Sequence, residues 1–285
     1  MVSSVSRTVE CFYPGKSFPA ISVTGSACSL NCKHCARRYL DGMVPATTPD
    51  DLLTIAEALA ERGAKGFLLS GGVDPTGRVD LSRFVSAIRE IKDVTNLEIN
   101  AHIGLTPRKE IEELVASGID SFSVDVYGDR RTIEEVLGLD ARPEDYLRVV
   151  SDLKELGAPT VAPHICVGVH AGALVGEYAA IDGLAPLEPP RLILISLIPT
   201  KGTPYEHVRA PSLGDMVAVV ERARKVLPKT KLLLGCMRSK KDRSSEVALV
   251  RAGLDGIVLP STSTVERLRA DGFRIRKRAE CCSLP

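Results

Sequence analysis

Tryptophan is absent from the sequence, methionine occurs four times, and aromatic residues make up only 4%. With many Arg, Val and Pro, that scarcity suits a heat-adapted chain and excludes no activity. No stretch approaches the roughly 18 uninterrupted apolar residues of a membrane-spanning helix. The first residues lack the basic-then-apolar pattern of a secretion leader, so no membrane partner and a cytoplasmic location are expected. Neither sign of charge dominates: 37 Lys and Arg face 36 Asp and Glu, for a net charge of +1. A global electrostatic case for a nucleic-acid partner is therefore missing.

What the 285 residues do hold is enough apolar material (44%) for a sizeable core, and eight cysteines. In a chain of this length without a secretion signal, cysteines fit metal or redox chemistry better than a disulfide scaffold. Three of them fall within Cys28-Ser-Leu-Asn-Cys32-Lys-His-Cys35, just after Phe18-Pro-Ala-Ile-Ser-Val-Thr-Gly25, which reads as a buried strand ending in a glycine turn. Thiols packed this closely can converge on one soft metal centre, and are too close to staple a fold. Three ligands rather than four leave one iron of a [4Fe–4S] cluster open to a substrate. A zinc knuckle completed by His34 is the competing arrangement, opposed by the adjacency of His34 to Cys35. A zinc-stabilised barrel without catalysis, acting as a binding module, follows from that arrangement.

Downstream, strand-like and helix-like segments alternate with short Gly and Pro turns. Strands are expected at Ile21–Thr24, Gly66–Ser70, Leu97–Ile103, Ser121–Val126, Val161–Val169, Leu192–Ile198, Leu232–Cys236 and Gly256–Leu259. Helices are expected at Pro49–Arg62, opened by Thr48 as cap, and at Leu81–Ile91, Pro107–Ala116, Pro143–Leu156, Leu213–Val226, Ser244–Ala252 and Thr264–Arg269. Repeated β-then-α units with apolar strands demand a parallel sheet covered on both faces. Eight such units at this length suit an α/β (β/α)8 TIM-type barrel in a single domain. The expected division is an N-terminal extension over 1–17, the barrel over 18–270, and a C-terminal extension over 271–285.

The active end of such a barrel is formed by the C-terminal ends of its strands. There the second strand carries Ser70-Gly71-Gly72, whose glycines let backbone approach a ligand closely. Asn100 and His102 share one strand face, as do Ser123 and Asp125, and buried polar groups of this kind need partners. His164 and Cys166 follow on the fifth strand, and the sixth runs into Pro199-Thr-Lys-Gly-Thr-Pro204.

The C-x3-C-x2-C loop after a first strand resembles the signature of the radical S-adenosylmethionine (SAM) enzymes. The likeness to the biotin-synthase subgroup runs over roughly residues 18–260. The resemblance implies a [4Fe–4S] cluster on Cys28, Cys32 and Cys35 that binds SAM and, once reduced, releases a 5′-deoxyadenosyl radical. It also implies SAM contacts from His34, Ser70, Gly71, Gly72, Asn100, Ser123, Asp125, His164 and Pro199, with Ser123 and Asp125 at the ribose. Two positions depart from the family pattern: His34 stands where an aromatic is common, and Val73 where Glu often follows the glycines.

Biotin synthases draw a second cluster from strands three to five and a strand-seven Arg. Here strands three and four carry no cysteine, and Gly235-Cys236-Met237-Arg238 occupies the strand-seven position. The remaining thiols Cys11, Cys236, Cys281 and Cys282 resemble an auxiliary set, a second [4Fe–4S] cluster that surrenders sulfide as in lipoyl synthases. The likeness is greatest to one component of the archaeal two-component lipoyl synthase. That implies sulfur insertion into a protein-bound octanoyl chain, with three partners: a reductant such as ferredoxin, an acceptor protein bearing octanoyl-lysine, and a second radical SAM subunit. A biotin synthase-like or methylornithine synthase-like enzyme is the alternative.

Overall fold

The computed structural model describes residues 7–240 and 245–285. Among these, eleven strands form one sheet: β1 (Thr8–Phe12), β2 (Ala20–Ser22), β3 (Val44–Pro45), β4 (Gly66–Ser70), β5 (Glu98–His102), β6 (Ser121–Asp125), β7 (Val161–Val167), β8 (Arg191–Ser196), β9 (Lys231–Leu234), β10 (Gly256–Val258) and β11 (Arg274–Arg278). Their lateral order is β11-β1-β10-β9-β8-β7-β6-β5-β4-β2-β3, and every neighbouring pair is parallel. Parallel neighbours require crossovers, and helices such as Pro49–Glu61, Pro143–Glu155 and Leu213–Val226 supply them. The result is the α/β barrel-type fold expected, a curled parallel sheet with an outer layer of helices.

The eight expected strands are β2 and β4 to β10, side by side in chain order. Their interiors are nearly all buried, as burial on both faces requires. Closure differs from a simple barrel. β10 does not bond to β2 but to β1, through the register Glu10↔Gly256 and Phe12↔Val258, and β11 lies outside β1. Both added strands fall in the stretches read as extensions. The sheet therefore ends at β11 and β3. The outermost strand, Arg274-Ile-Arg-Lys-Arg278, reads as a solvated basic tail because an unpaired edge is best kept charged.

Thr48 caps its helix as expected: Asp51 N–H donates to Thr48 Oγ1 at 3.1 Å and Thr48 N–H to Asp51 Oδ2 at 3.0 Å. Besides short 3-10 turns, two helical segments among the described residues were not expected, Glu177–Leu184 and the turn Arg130–Thr132 that continues as a π-helical turn over Ile133–Leu137. The expected helix start at Ser244 lies outside the described residues.

Two apolar clusters result. The larger fills the space between sheet and helices. The smaller lies inside the curl, where Phe12, Ala162, Ile193, Leu233 and Val258 pack around Cys282. Residues 281–284 thus enter the lumen. Ser121 Oγ donates to Ser283 C=O at 2.6 Å, Ser123 Oγ and Ser283 Oγ are 3.2 Å apart, and Arg191 Nη1 donates to Cys282 C=O at 2.7 Å. These bonds satisfy polar groups that burial would otherwise penalise.

Candidate active site

The cysteine loop follows β2 and is clamped to two neighbours. Gly72 N–H donates to Thr24 Oγ1 at 2.7 Å, Thr24 Oγ1 donates to Ala27 C=O at 2.8 Å, and Ser29 N–H donates to Val73 C=O at 2.8 Å. A Cβ at Gly72 would lie 2.6 Å from Cys28 Cβ, so only glycine lets β4's loop approach the first cysteine. On the other side Lys33 N–H donates to Val136 C=O at 2.8 Å. The loop leaves through Ala36 and Arg37, both left-handed at φ 42° and 68°, which turns the chain toward the loop after β8. There Tyr39 Oη and Thr200 Oγ1 are 3.0 Å apart.

Cys35 N–H donates to Cys32 C=O at 3.2 Å, and this tight turn gathers the ligand atoms of Cys32, His34 and Cys35 within 4.8 Å of one another. His34 therefore does converge with its neighbours, contrary to the expectation from adjacency. Cys28 lies outside that group. A tetrahedral zinc at about 2.3 Å from each sulfur needs all its donors within roughly 4 Å of one another. The wider reach to Cys28 suits a multi-iron core held by three thiolates. Cys35 is drawn down to about 4, chiefly by the hydrogen bond from Cys32 and further by His34, whereas that same bond and burial push Cys32 up. One thiolate thus stands ready in the loop. His34 Nδ1 is buried without a hydrogen-bond partner, an orphaned polar atom in the same loop.

Inside the curl the polar strand residues form two levels. The deeper one is internally satisfied: Ser123 Oγ donates to Asn100 Oδ1 at 3.0 Å, and Asn100 Nδ2 reaches Cys281 Sγ at 3.8 Å. Asn100 and Ser123, both expected at the cofactor, are thus engaged with each other and with residues 281–283. The upper level holds His102, Asp125 and His164. His102 Nε2 sits 3.4 Å from Asp125 Oδ2, and the rings of His102 and His164 stack at 5.8 Å. Asp125 keeps 37% of its side-chain exposure and His102 27%, so both face open lumen.

Burial opposes ionisation of Asp125, but the His102 imidazolium outweighs it and holds the carboxyl below its usual range. Reciprocally, burial lowers His102 but Asp125 wins, raising it above 6.5. His164 is pushed down to about 4, first by burial and then by the charge on His102. Its Nδ1–H donates to Ala162 C=O at 2.9 Å, which leaves Nε2 as an acceptor.

A histidine titration followed by NMR should separate the two. The fold's preference for charged His102 is fully expressed below pH 6.5 and is lost as pH rises through its raised pKa. Its preference for neutral His164 is expressed above 6.5 and is lost as pH falls toward 4. His164 should therefore not titrate between pH 5 and 8, and Asp125→Asn should lower the His102 midpoint. Two imidazoles titrating together near 6.5 would contradict the geometry.

The candidate auxiliary thiols are only partly assembled. Cys11 is a correction. On β1 alternate residues face opposite ways: Phe12 joins the lumen cluster, while Val9 and Cys11 join the outer core. Burial raises Cys11 to about 11, and Arg269 and Glu246 of the outer helices are the charges it feels. The sheet separates it from the other three. Cys282 is in the lumen cluster with Cys281 packed against it, and exposed Cys236 is near enough that charge on one thiol raises another, but among the described residues the three sulfurs do not all come within 4.8 Å of one another. Residues 281–284 turn, with Leu284 N–H donating to Cys281 C=O at 3.2 Å. Cys281 and Cys282 consequently hydrogen-bond each other instead of pointing apart as an extended chain would have them, and Cys281 falls to about 7 chiefly for that reason. Arg238 is engaged elsewhere, buried in an ion pair with Glu246 at 2.6 Å. Pro199 is half-buried in the loop that carries Thr200.

One contributor was missed, and one was named without a cofactor contact: His102, placed on the face of Asn100 by its i, i+2 relation. Thr24, which ties the two loops, carries no local signal.

A family model described as "Radical SAM superfamily" matches residues 22–171. The chain is similar to mitochondrial biotin synthase of Arabidopsis thaliana, 23% identical over 266 residues, covering 90% of this chain and 68% of that protein. It is likewise similar to biotin synthase of Marinobacter nauticus, 22% identical over 278 residues, covering 92% and 78%. Among solved structures it resembles HydG, a maturase of the [FeFe]-hydrogenase, with a TM-score of 0.67 at 18% identity over 91% of this chain and 58% of that one. Methylornithine synthase gives 0.64 at 17% identity over 95% and 84%. At these identities the structural likeness shows the fold.

Proposed function

We propose a function from one premise: the chain belongs to the radical SAM superfamily, whose model matches residues 22–171 of 285. Within it, the reading best supported is a sulfur-inserting enzyme that attacks an unactivated C–H bond, one component of a lipoyl synthase acting on a protein-bound octanoyl chain. The observation that carries this is the second group of thiols. Cys282 lies in the lumen with Cys281 packed against the same cluster, apart from the Cys28–Cys35 loop, and Cys236, exposed at the end of β9, is near enough to both for their charges to interact.

Cys28, Cys32 and Cys35 would hold a [4Fe–4S] cluster, whose chemistry when bound would be one-electron reductive cleavage of SAM. The chain's own residues do the rest. Gly72 and Thr24 fix the cysteine loop, and Asp125, kept ionised by His102, would accept hydrogen bonds from the ribose hydroxyls. His164 stays neutral and offers an acceptor. The apolar inner wall, with Ile195, Leu259 and Cys281 packed against the lumen cluster, suits an alkyl chain. The acceptor protein bearing octanoyl-lysine and a second radical SAM subunit belong to this proposal, as does a second cluster on Cys236, Cys281 and Cys282.

A second reading is a carbon–carbon rearrangement of the methylornithine synthase type, which needs no sacrificial sulfur. The position of Cys11 behind the sheet favours it, since it leaves the auxiliary set one thiol short. Iron and sulfide analysis of anaerobically prepared protein separates them: about eight irons per chain are expected for sulfur insertion and about four for rearrangement. An octanoylated acceptor peptide, incubated with SAM and reductant, should gain sulfur in the first case and remain unchanged in the second.

A further inference from the structure

At the end of the sheet opposite the cysteine loop, where the strands begin, the lumen face changes from apolar to charged. Alternation from Phe12, Leu233 and Ile193 of the lumen cluster places Glu10, Lys231 and Arg191 on that face. Arg276 stands opposite Glu10 in the β1–β11 register. Between β1 and β9 the short strand β10 begins with Gly256, where a Cβ would lie 2.7 Å from Glu10 C=O and 2.8 Å from Leu233 Cδ2. Lys231 spans that gap, its Nζ donating to Glu10 Oε2 at 2.8 Å. A cleft of about 390 Å³ opens here, walled by Thr8, Glu10, Lys231 and Arg276 from the sheet and by Arg224, Lys229 and Asp255 beside it.

Its charges do not balance. Four cations, Arg224, Lys229, Lys231 and Arg276, face two carboxylates, Glu10 and Asp255, an excess of two. Asp255 is already taken by Arg224 and by Arg7 at 3.5 Å. Glu10, with 8% side-chain exposure, is shared among Lys231, Arg276 at 3.7 Å and Arg278 at 3.8 Å. Lys229 is exposed and, among the described residues, in no ion pair. Arg191, beside Lys231 in the β8–β9 register, adds a cation that is 5% exposed. Its Nη1 is spent on Cys282 C=O, and its Nε is buried without a partner. Positive charge gathered in a recess of low dielectric costs free energy that a bound anion recovers.

The cations are also held in place. Arg224 donates to the C=O groups of Pro228, Thr230 and Gly253, each at 3.0 Å, which fixes the turn carrying Lys229. Lys231 and Arg276 are anchored on Glu10. A cleft of this volume suits one small molecule rather than a polymer. An excess of two charges matches one phosphate dianion, and Thr8 adds a hydroxyl donor.

We propose that this cleft binds a phosphorylated small molecule, its phosphate dianion held by Lys229, Lys231 and Arg276. The cleft lies at the opposite end of the strands from the cysteine loop and Asp125, so the proposal does not rest on the proposed function. The N-terminal face of a parallel barrel governs stability rather than chemistry, and a ligand there acts on the fold. Arg278 links the cleft to the chain segment in the lumen, contacting Glu10 on one side and donating to Pro285 O at 2.6 Å on the other. Binding therefore steadies the segment that floors the lumen.

The test uses the cluster-loaded full chain and two probes, inorganic phosphate and glycerol 3-phosphate, with glycerol as the neutral counterpart. Binding is measured by isothermal titration calorimetry, and stability by thermal unfolding, both at low ionic strength. Glycerol 3-phosphate should bind once per chain, weaken as salt is added, and raise Tm with its concentration, whereas glycerol should do neither. Lys229→Glu with Arg276→Glu should weaken binding about tenfold or more and leave SAM cleavage unchanged. Should that pair lower Tm in the absence of ligand, Lys229→Glu alone carries the test, with an expected loss of about threefold or more. Phosphate probes that fail to bind at millimolar concentration, or that bind wild type and variants alike, would overturn the site and leave the superfamily reading untouched.

Discussion

Alanine at Cys28, Cys32 and Cys35 together should reduce SAM cleavage to the uncatalysed background and leave the fold in place. The three thiols lie in a loop at the sheet's rim, and two of them retain exposure. Their removal opens no large cavity in the core, where volume lost costs most. The loop's attachment to β4 runs through Thr24, Ser29, Gly72 and Val73, none of which is altered. Circular dichroism and the urea midpoint should stay close to wild type while 5′-deoxyadenosine disappears. A triple variant that unfolds would show the cysteines to be structural, and one that still cleaves SAM would remove them from the chemistry.

The second large effect is expected from residues 279–285, for a different reason than thiol chemistry. Ser283 is 1% exposed and Leu284 1%, and deleting the segment leaves Ser121 and Arg191 without their partners there and takes from Ser123 one of its two. Each buried group stranded in this way costs about 1–3 kcal/mol, so the deletion should cost on the order of 2–6 kcal/mol before lost apolar burial is counted. Thermal stability should fall sharply, and activity with it. Ser at both Cys281 and Cys282 is the informative companion. It preserves the backbone bonds that floor the lumen, so stability should hold while the proposed second cluster and all sulfur transfer are lost. Sulfur insertion surviving in the Ser variant would transfer support to the rearrangement reading.

Most of the sheet was legible because its strands are short apolar runs bounded by Gly and Pro, and a parallel sheet covered on both faces demands such runs. The cysteine loop was legible because its spacing is local. What could not be read is what the chain does at long range. β11 looks like a solvated tail, since four of its five residues are cationic, yet it pairs along its length with β1. Cys11 could be assigned a face only once Thr8–Phe12 was known to be a strand, after which alternation alone sends it outward. The insertion of residues 281–284 depends on hydrogen bonds to strands about 90 to 180 positions away, as with Ser121 and Arg191, and no periodicity reports that. Likewise Ser123 was assigned to the cofactor as a buried polar group in want of a partner; its partners turned out to be Asn100 and Ser283.

The most direct measurement is electron paramagnetic resonance of the anaerobically reconstituted, dithionite-reduced protein with and without SAM, paired with chromatographic detection of 5′-deoxyadenosine. The expected result is a reduced [4Fe–4S] signal that shifts when SAM is added, because the iron left open by Cys28, Cys32 and Cys35 takes the new ligand, followed by 5′-deoxyadenosine. A colourless protein carrying one zinc, silent in resonance and leaving SAM intact, would contradict the central claim.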